Sequence, residues 1–365
     1  MTLIIDKNID RKSQGKFVEL TEILIELPKN VSILDELNLF EDVYLSQRKF
    51  EIQRQSFGNH LVKDKNYEAR GDTLVAKQNR GFIQLSVPNF GLIDAIKPTD
   101  VEGVATYNSI QEAAQLESVM DVRIQKLATM NNALDGTEAL AKMQLLMKGT
   151  VYAPSGTLAT LYGDTVDWYQ EMGVTRQTIN LELSGAKDPR ISCSKLIRAM
   201  REALRNTPSN GNYSLLLILC GTDYFDEVYT NPFVTDAVKY FQQDLNKLLL
   251  GTPSTAPGYG PNFRTITAWG VTFIDAGTGG YTNPADVWVP WIEADKAIAL
   301  PTGVRGMFKT YHGPNMTFST VNKKSTGRSY FERLNDEDDL IQMKVEQNFM
   351  GVLLYPQAVF DLTKS

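Results

Sequence analysis

The longest regular pattern of apolar positions runs from Ser109 to Gly149 and predicts one long helix. Apolar residues recur at spacings of three and four, with one skipped turn, at Ala113, Leu116, Met120, Ile124, Leu127, Leu134, Leu140, Met143 and Met147. Ser109 with Glu112 fits an N-terminal capping box, and Gly149 lies where a left-handed C-terminal cap is expected. A helix over 109–148 would be roughly 60 Å long at about 1.5 Å per residue, so we interpret it as scaffold.

The segment from Asn131 to Thr137 interrupts this helical pattern. A glycine such as Gly136 costs about 1 kcal/mol in a helix interior, and Asn and Asp favour helix ends. The sequence therefore leaves two alternatives, which are one helix that bends near Gly136 or two helices that meet there.

A second pattern, over residues 46–88, predicts a long two-stranded β-ribbon. The run Lys49-Phe50-Glu51-Ile52 alternates charged and apolar residues, as a strand exposed on one face does. A return strand over 81–87 ends at Pro88. Because an isolated two-stranded ribbon is marginally stable in water, we expect this ribbon to rest on another surface.

The remainder of the chain mixes helical and strand patterns and predicts an α+β fold. A nearly continuous apolar run over 213–220 predicts a strand buried on both faces. Helical stripes predict a helix with Ser194 as its N-cap, together with helices over 17–27 and 232–250. Further strands are expected over 264–269, 271–275, 287–293, 296–300 and within 341–362. The apolar residues Leu34, Leu37, Leu39 and Phe40 are too few for a core, so we expect them to lie across other elements.

The distribution of charge adds to this picture. The 365 residues suffice for two or three domains, and the net charge of −6 argues against a protein built to grip nucleic acid. The ribbon segment, 46–88, carries eight basic and four acidic residues, so a +4 arm projects from a −10 remainder. This asymmetry favours docking of the arm on a neighbouring copy, and a solvated loop is the alternative.

Candidate chemistry is sparse. The two histidines, His60 and His312, are not spaced as metal ligands, and no phosphate-binding loop or nucleophile elbow is present. Cys193 and Cys220 are expected to be buried thiols rather than a disulfide framework. The sequence contains no run of 18 apolar residues, so it does not predict a membrane-spanning helix. The charged N-terminus is not typical of a secretory signal. We therefore predict no catalytic, cofactor or metal site, although an acid/base pair among the many carboxylates stays open.

Four segments, in order, carry a resemblance to the major capsid proteins of tailed bacteriophages, in the subfamily of the lambda major head protein. They are residues 37–41 with the following ribbon strand, 145–151 with 155–158, 219–226 with Asn231-Pro232, and 301–311. The resemblance spans residue 37 to the C-terminus, and its order beside a long helix and a basic arm makes it specific.

This resemblance implies the α+β capsid fold of phage Hong Kong 97. The implied parts are an N-terminal arm (1–45), an extended loop formed by a β-hairpin (46–94), a peripheral domain (95–190) around a spine helix (109–148), an axial domain (191–340), and C-terminal strands that return to the subunit body (341–365).

The function that the resemblance implies is that of a major capsid protein without enzymatic activity. Such a protein self-assembles as hexamers and pentamers into an icosahedral shell around double-stranded DNA, which it does not bind sequence-specifically. It assembles in the host cytoplasm, resides in the virion and has no membrane partner. The chain begins at Met1 without a long helical prefix, so we expect a separate scaffolding protein and a portal, with a decoration protein as an open possibility. The alternatives are an encapsulin-like nanocompartment shell protein and, more remotely, a cytosolic enzyme.

The predicted assembly interface lies on the extended loop. Its members are Arg48, Lys49, Phe50, Ile52, Arg54, Arg80 and Phe82. The basic residues would dock on an acidic neighbour, and the apolar ones would provide shape and apolar contact if charge does not carry the interface.

Overall fold

The computed structural model of the protein describes residues 33–56, 79–100, 119–154, 166–183, 188–205, 207–234, 236, 264–277, 279–282, 287–317, 320, 323–334 and 340–364. The helices in these ranges are α1 (Ile33–Glu36), α2 (Val119–Lys148), α3 (Trp168–Met172), α4 (Arg190–Ala203) and α5 (Thr222–Thr230). The strands are β1 (Glu41–Tyr44), β2 (Lys49–Ser56), β3 (Asn79–Ser86), β4 (Phe90–Ile96), β5 (Gln177–Asn180), β6 (Leu216–Cys220), β7 (Thr265–Ala268), β8 (Val271–Asp275), β9 (Gly280–Thr282), β10 (Trp288–Pro290), β11 (Ala297–Pro301), β12 (Phe308–His312), β13 (Arg328–Leu334), β14 (Ile341–Gln347), β15 (Phe349–Leu353) and β16 (Phe360–Thr363).

These strands form one large sheet and several small ones. The large sheet has six strands in the order β5-β16-β11-β6-β8-β7, and it mixes parallel and antiparallel pairs. Two three-stranded sheets have the orders β13-β14-β4 and β1-β12-β15, and the remaining pairs are β2-β3 and β9-β10. The architecture confirms the predicted α+β class.

The six-stranded sheet contains three strands that are buried along their whole length. Every residue of β6, β8 and β11 is buried, which confirms the buried strand predicted within 213–220 and those predicted over 271–275 and 296–300. Strand β6 begins only at Leu216, three residues later than the predicted apolar run, and Leu215 before it is 47% exposed. The strand predicted over 287–293 is shorter than expected and covers only β10.

Helix α4 begins earlier than predicted, so the assignment of Ser194 as its N-cap is wrong. The cap is Pro189, and the Asp188 carboxylate accepts a hydrogen bond from the backbone N–H of Arg190 at 3.0 Å. Proline suits a helix start because its fixed φ is already near the helical value. Ser194 is instead an exposed residue within the helix.

Helix α2 is the spine helix, and it is unbroken from Val119 to Lys148, so the alternative of two helices is wrong. Its apolar face and the β13-β14-β4 sheet share a second core, made of Ile96, Val122, Leu127, Met130, Leu134, Tyr330, Met343 and Val345. The predicted start at 109–118 lies outside the described residues, and the bend near Gly136 stays a prediction.

The end of α2 confirms the predicted cap. Gly149 has a φ of +74°, and its N–H donates to the carbonyl of Leu145 at 2.9 Å. A Cβ at this position would lie 2.3 Å from a ring carbon of Tyr169, so glycine is required both by backbone conformation and by space.

The N-terminal segment packs across the body of its own subunit. Leu34 and Phe40 are buried, Leu37 and Leu39 pack against the same core, and β1 pairs in parallel with β12. These contacts confirm that the segment lies across other elements. The helices predicted over 17–27 and in most of 232–250 fall outside the described residues.

Candidate assembly surface

The ribbon predicted over 46–88 is present as β2 and β3. The two strands pair antiparallel from Lys49 opposite Ser86 to Ser56 opposite Asn79. Within the described residues no third strand joins this pair. In the described part of the subunit, the ribbon therefore presents two edges without strand partners.

The base of the ribbon is fixed to the subunit body by aromatic and aliphatic contacts. The ring of Phe50 stacks on Tyr311 of β12, with centroids 4.5 Å apart and planes 15° from parallel. Its cross-strand partner Leu85 is buried in the main core. Aromatic stacking of this kind contributes about 0.5–1.5 kcal/mol beyond area burial, so the ribbon leaves the body from a defined anchor.

Hydrogen bonds also close the base. The N–H of Val87 donates to the carbonyl of Arg48 at 3.0 Å, and Nε of Arg48 donates to the carbonyl of Val87 at 3.2 Å. Val87 is buried, and a Cβ at Gly313 would approach its side chain to 3.2 Å. This close approach leaves the base of the ribbon little room to shift.

The structure describes the side chains of four of the seven predicted interface residues, of which three are half-buried and one is exposed. Arg48, Phe50 and Ile52 are half-buried, and each contacts its own subunit through the bonds above or the main core. Lys49 is exposed. The backbone register places Arg54 opposite Gly81, Arg80 opposite Gln55, and Phe82 opposite Gln53. The side chains of Arg54, Arg80 and Phe82, like the ribbon tip, lie outside the described residues, so their role stays a prediction.

A set of two ion pairs and one carboxylate–histidine contact, which we name the N-terminal clasp, joins the arm segment to the body. Each pair has its acid on the arm and its base on the body, namely Asp35 with Lys142 at 3.1 Å, Glu41 with Lys309 at 3.8 Å, and Asp42 with His312 at 3.0 Å. His312 is buried and its ring stacks on Tyr44 with centroids 4.9 Å apart. Sequence reasoning missed the clasp, although three carboxylates in so short a segment were a signal for it.

Lys142 is the more buried of the two lysines of the clasp. Burial alone would lower the pKa of its ammonium group, but the carboxylates of Glu138 and Asp35 outweigh that effect and raise the pKa above its ordinary value. Lys142 Nζ also lies 5.7 Å from the ring centroid of Phe40. The arm is thus tied to the spine helix through the ammonium group of Lys142, which stays protonated at physiological pH.

A polar stripe on the spine helix, which we name the spine network, binds the helix to β13 and β14. Arg328 Nη1 donates to Asn131 Oδ1 at 2.8 Å, and its Nη2 contacts Asp135 Oδ1 at 2.5 Å. Arg328 Nε also donates to Gln347 Oε1 at 2.9 Å, and Gln347 donates to Glu138 at 2.5 Å. The network satisfies a guanidinium that is almost fully buried.

The spine network explains why residues that disfavour helices stand in the middle of α2. Asn131 and Asp135 are four residues apart, so they lie on one face and both reach Arg328. Tyr330 Oη donates to the same Asn131 oxygen at 2.7 Å. The four-residue spacing of Asn131 and Asp135 was the signal in the sequence. It was missed because both residues were interpreted as helix-breaking.

Reactive or metal-binding groups are scarce in the described residues. Cys193 and Cys220 are free and buried as predicted, and burial raises the pKa of the Cys193 thiol to about 12. No group of three or more His, Cys, Asp or Glu residues in the described ranges could hold a metal ion. Among those ranges, too, no helix has the length and apolar character needed to cross a lipid bilayer.

The sequence profile of the family described as "Phage major capsid protein E" matches residues 16–364. The chain belongs to the phage major capsid protein E family. A curated relative, the major capsid protein of Pseudomonas phage KPP10, is 27% identical over 347 residues, which cover 94% of this chain and 95% of the relative. These findings confirm the predicted family and the role of a structural virion protein that builds a capsid from copies of itself, rather than an enzyme.

Solved structures of phage capsid proteins share the fold of this family member. A protein assigned as the capsid protein of a prophage from E. coli CFT073 superposes with a TM-score of 0.55 and 10% identity, covering 92% of this chain and 94% of that one. The mature capsid of bacteriophage PhiM1 gives a TM-score of 0.50 and 10% identity, covering 92% and 88%. The Hong Kong 97 phage-type capsid fold is thereby confirmed.

Proposed function

We propose that the chain assembles as hexamers and pentamers into the icosahedral head shell of a tailed phage, which encloses packaged double-stranded DNA. Membership of the capsid E family carries the general role. The observation that supports the finer proposal is the β2-β3 ribbon, which is anchored at its base and has no third strand among the described residues.

The ribbon requires a second surface. A two-stranded sheet is marginally stable in water, and the contacts at Phe50 and Leu85 support only its base. A neighbouring subunit that covers the ribbon would supply the missing contacts on the scale of an obligate interface, over about 2,000 Å². In a shell of identical subunits this contact repeats, so the ribbon of each subunit packs on one neighbour and the body of each subunit is covered by the ribbon of another.

Charge supports the same partner. The segment 46–88 is basic while the remainder of the chain is acidic, so two copies attract one another through unlike regions. Lys49, Arg54 and Arg80 are the basic residues we assign to this contact, with Arg48 at the base, while Phe50, Ile52 and Phe82 provide apolar area.

The parts of the subunit follow from the same proposal. We assign residues 1–45 to the N-terminal arm, 46–94 to the extended loop, 95–190 to the peripheral domain, 191–340 to the axial domain, and 341–365 to the returning strands. The strand pairing suggests one refinement, because β13 at 328–334 pairs with β14 and packs on the spine helix. We therefore place β13 with the peripheral domain.

Further partners complete the proposal. A separate scaffolding protein would guide assembly in the host cytoplasm, a portal would occupy one vertex, and a decoration protein would fit where the family uses one. No cofactor or membrane takes part.

Electron microscopy of the purified full-length chain tests this function. We expect closed shells of uniform diameter from the wild type. In a ribbonless variant an Asn-Gly turn joins Ile52 directly to Ile83, which already face each other. This variant should stay soluble, keep the helical part of its circular dichroism spectrum and form no shells. Normal shells from the ribbonless variant would contradict the proposed role of the ribbon.

A further inference from the structure

Helix α4 presents a basic face to solvent. Its buried residues Cys193, Leu196 and Met200 belong to the same core as the six-stranded sheet. The opposite face and the turn that follows it carry exposed basic side chains at spacings of three and four residues, namely Lys195, Arg198, Arg201 and Arg205. These positions span about 15 Å along the helix axis at about 1.5 Å per residue.

The four basic side chains of this face, which we name the α4 basic face, form no ion pair within the part of the chain that the structure describes. Arg190 at the start of the helix differs, because its Nε donates to both carboxylate oxygens of Asp188 at 2.8 and 2.9 Å and its Nη2 lies 2.6 Å from Oδ2. Glu202 is the one acidic residue between 191 and 205, so this stretch carries a net charge of +3 in a chain of net charge −6. A concentrated, unpaired positive face on an acidic protein is the electrostatic footprint of a polyanionic partner.

We propose that the α4 basic face binds the phosphate backbone of nucleic acid without sequence preference. This proposal rests on the proposed function, in which double-stranded DNA fills the shell. Three of the four residues are arginines, whose planar guanidinium groups match phosphate oxygens in a two-pronged geometry. Duplex DNA carries about one negative charge per 1.7 Å of its axis, so a 15 Å face meets more than enough phosphates to pair every side chain.

An acidic surface of a second copy fits this face less well. Four of the carboxylates around α5 and in the loop at 293–295 are already paired within the chain, and among the described residues there the exposed Asp223 is the exception. Asp226 contacts Arg264 at 3.2 Å, Glu227 and Asp295 each contact Lys364 at 3.1 Å, and Glu293 contacts Lys296 at 2.8 Å. Phosphate groups supply the unpaired negative charge that these carboxylates lack.

The negative net charge sets the strength of this contact rather than excluding it. Non-specific protein–DNA binding typically has a Kd of about 10⁻⁴–10⁻⁶ M at physiological salt, and it depends steeply on salt. Repulsion by the acidic remainder keeps each contact weak. Weak contacts repeated over the shell would hold the outer layer of DNA while still letting it move.

The test measures DNA binding by the full-length chain, kept dilute enough that light scattering detects no shells. Fluorescence anisotropy follows a fluorescein-labelled duplex of 30 base pairs between 50 and 200 mM salt. The test variant is K195Q/R198Q/R201Q/R205Q, and the control variant K97Q/R305Q/K323Q/K324Q removes the same number of charges from exposed positions elsewhere. Both variants therefore have the same net charge.

For four phosphate contacts we expect the wild-type affinity to fall with a log–log salt slope of about −3.6, or roughly 150-fold over this range. The test variant should lose at least tenfold in affinity at 50 mM salt and most of the slope, and the control should retain both. The proposal is overturned if the wild type does not bind at 50 mM salt, or if both variants lose affinity equally. It is also overturned if the test variant binds DNA normally but fails to form shells, since the face would then be a contact between copies.

The same preparations, examined by electron microscopy at high concentration, keep this proposal separate from the proposed function. Shells formed by a wild type that does not bind DNA would overturn only the α4 inference. DNA binding that maps to the basic face in a wild type that never forms shells would count only against the assembly function.

Discussion

The guanidinium of Arg328 on β13 lies 2.5 Å from the carboxylate of Asp135, directly before the glycine at which the sequence suggested a break in the spine helix. The residues that weaken this helix locally are those that hold it to the sheet beneath it. Local propensity and tertiary contact therefore conflict here, and the tertiary contact prevails because it satisfies a buried cation.

Replacing Arg328 with methionine should destabilise the subunit strongly. Removing one partner of a buried ion pair leaves the other without its charge partner, at a cost of about 3–5 kcal/mol. We expect urea unfolding to show this loss, whereas Arg305→Ala, at an exposed position, should change the free energy of unfolding by less than about 0.5 kcal/mol. Equal effects of the two substitutions would mean that the spine network contributes little.

Two glycines of the spine helix should respond to alanine in opposite directions. At Gly136 an added Cβ meets nothing within 4 Å, so Gly136→Ala should stabilise by about 0.5–1 kcal/mol through helix propensity. At Gly149 the left-handed φ of +74° and the Tyr169 ring oppose a Cβ, so Gly149→Ala should destabilise by more than about 1 kcal/mol. Thermal melting of both variants checks the pair, and a loss of stability at Gly136 would indicate a bend that needs glycine.

The subunit should lose stability in alkaline solution. Burial raises the pKa of the Cys193 thiol from 9.0 to about 12, so the folded state keeps a proton that the unfolded state releases. The free energy of unfolding therefore falls as the pH rises from 9 towards 12, by up to about 4 kcal/mol for this thiol at about 1.4 kcal/mol per pH unit. Urea unfolding at pH 8, 9.5 and 11 measures the slope, which should be smaller in Cys193→Ala. An unchanged slope in that variant would assign the alkaline loss to other groups, such as Tyr169, whose pKa burial also raises to about 12.

Reversing Arg54 and Arg80 to glutamate should slow or abort shell assembly, most clearly at low salt. Each exposed pair is worth roughly 0–1 kcal/mol, but the loss repeats in every subunit of a shell. Time-resolved light scattering at several ionic strengths follows assembly, and circular dichroism and melting should stay unchanged. The control R305E/K323E reverses two exposed charges outside the ribbon. Assembly of R54E/R80E at the wild-type rate at every ionic strength would shift the interface to its apolar residues.

Deleting residues 1–30 should leave a folded subunit that assembles poorly. The described arm from residue 33 onward is tied to the body through Leu34 and the N-terminal clasp, so we expect the core to fold without the deleted part. Melting and electron microscopy separate the two effects. Normal shells from the truncated chain would show that the deleted segment does not contribute to contacts between subunits.

The sequence predicted the elements whose signals are local. The end of the spine helix at Gly149, the ribbon strands and the buried strand β6 each follow from periodicity or from a residue with one conformational role. Ser194 failed as a helix start because Pro189 and Asp188 provide a stronger start a few residues earlier. At the candidate surface, alternation located the ribbon. It did not show that Phe50 rests on Tyr311 of its own subunit, because that contact joins residues far apart in the chain.

The position of the last strand has a consequence for the order of events during synthesis. Strand β16 lies between β5 and β11, and among the described residues β5 has no other partner strand. The base of the ribbon likewise rests on β12, whose neighbour β15 comes near the end of the chain. A nascent chain therefore cannot complete the six-stranded sheet until residues 360–363 have left the ribosome. A chain that has not yet paired β16 lacks part of its main core, so we expect a growing shell to accept only chains in which this strand is in place.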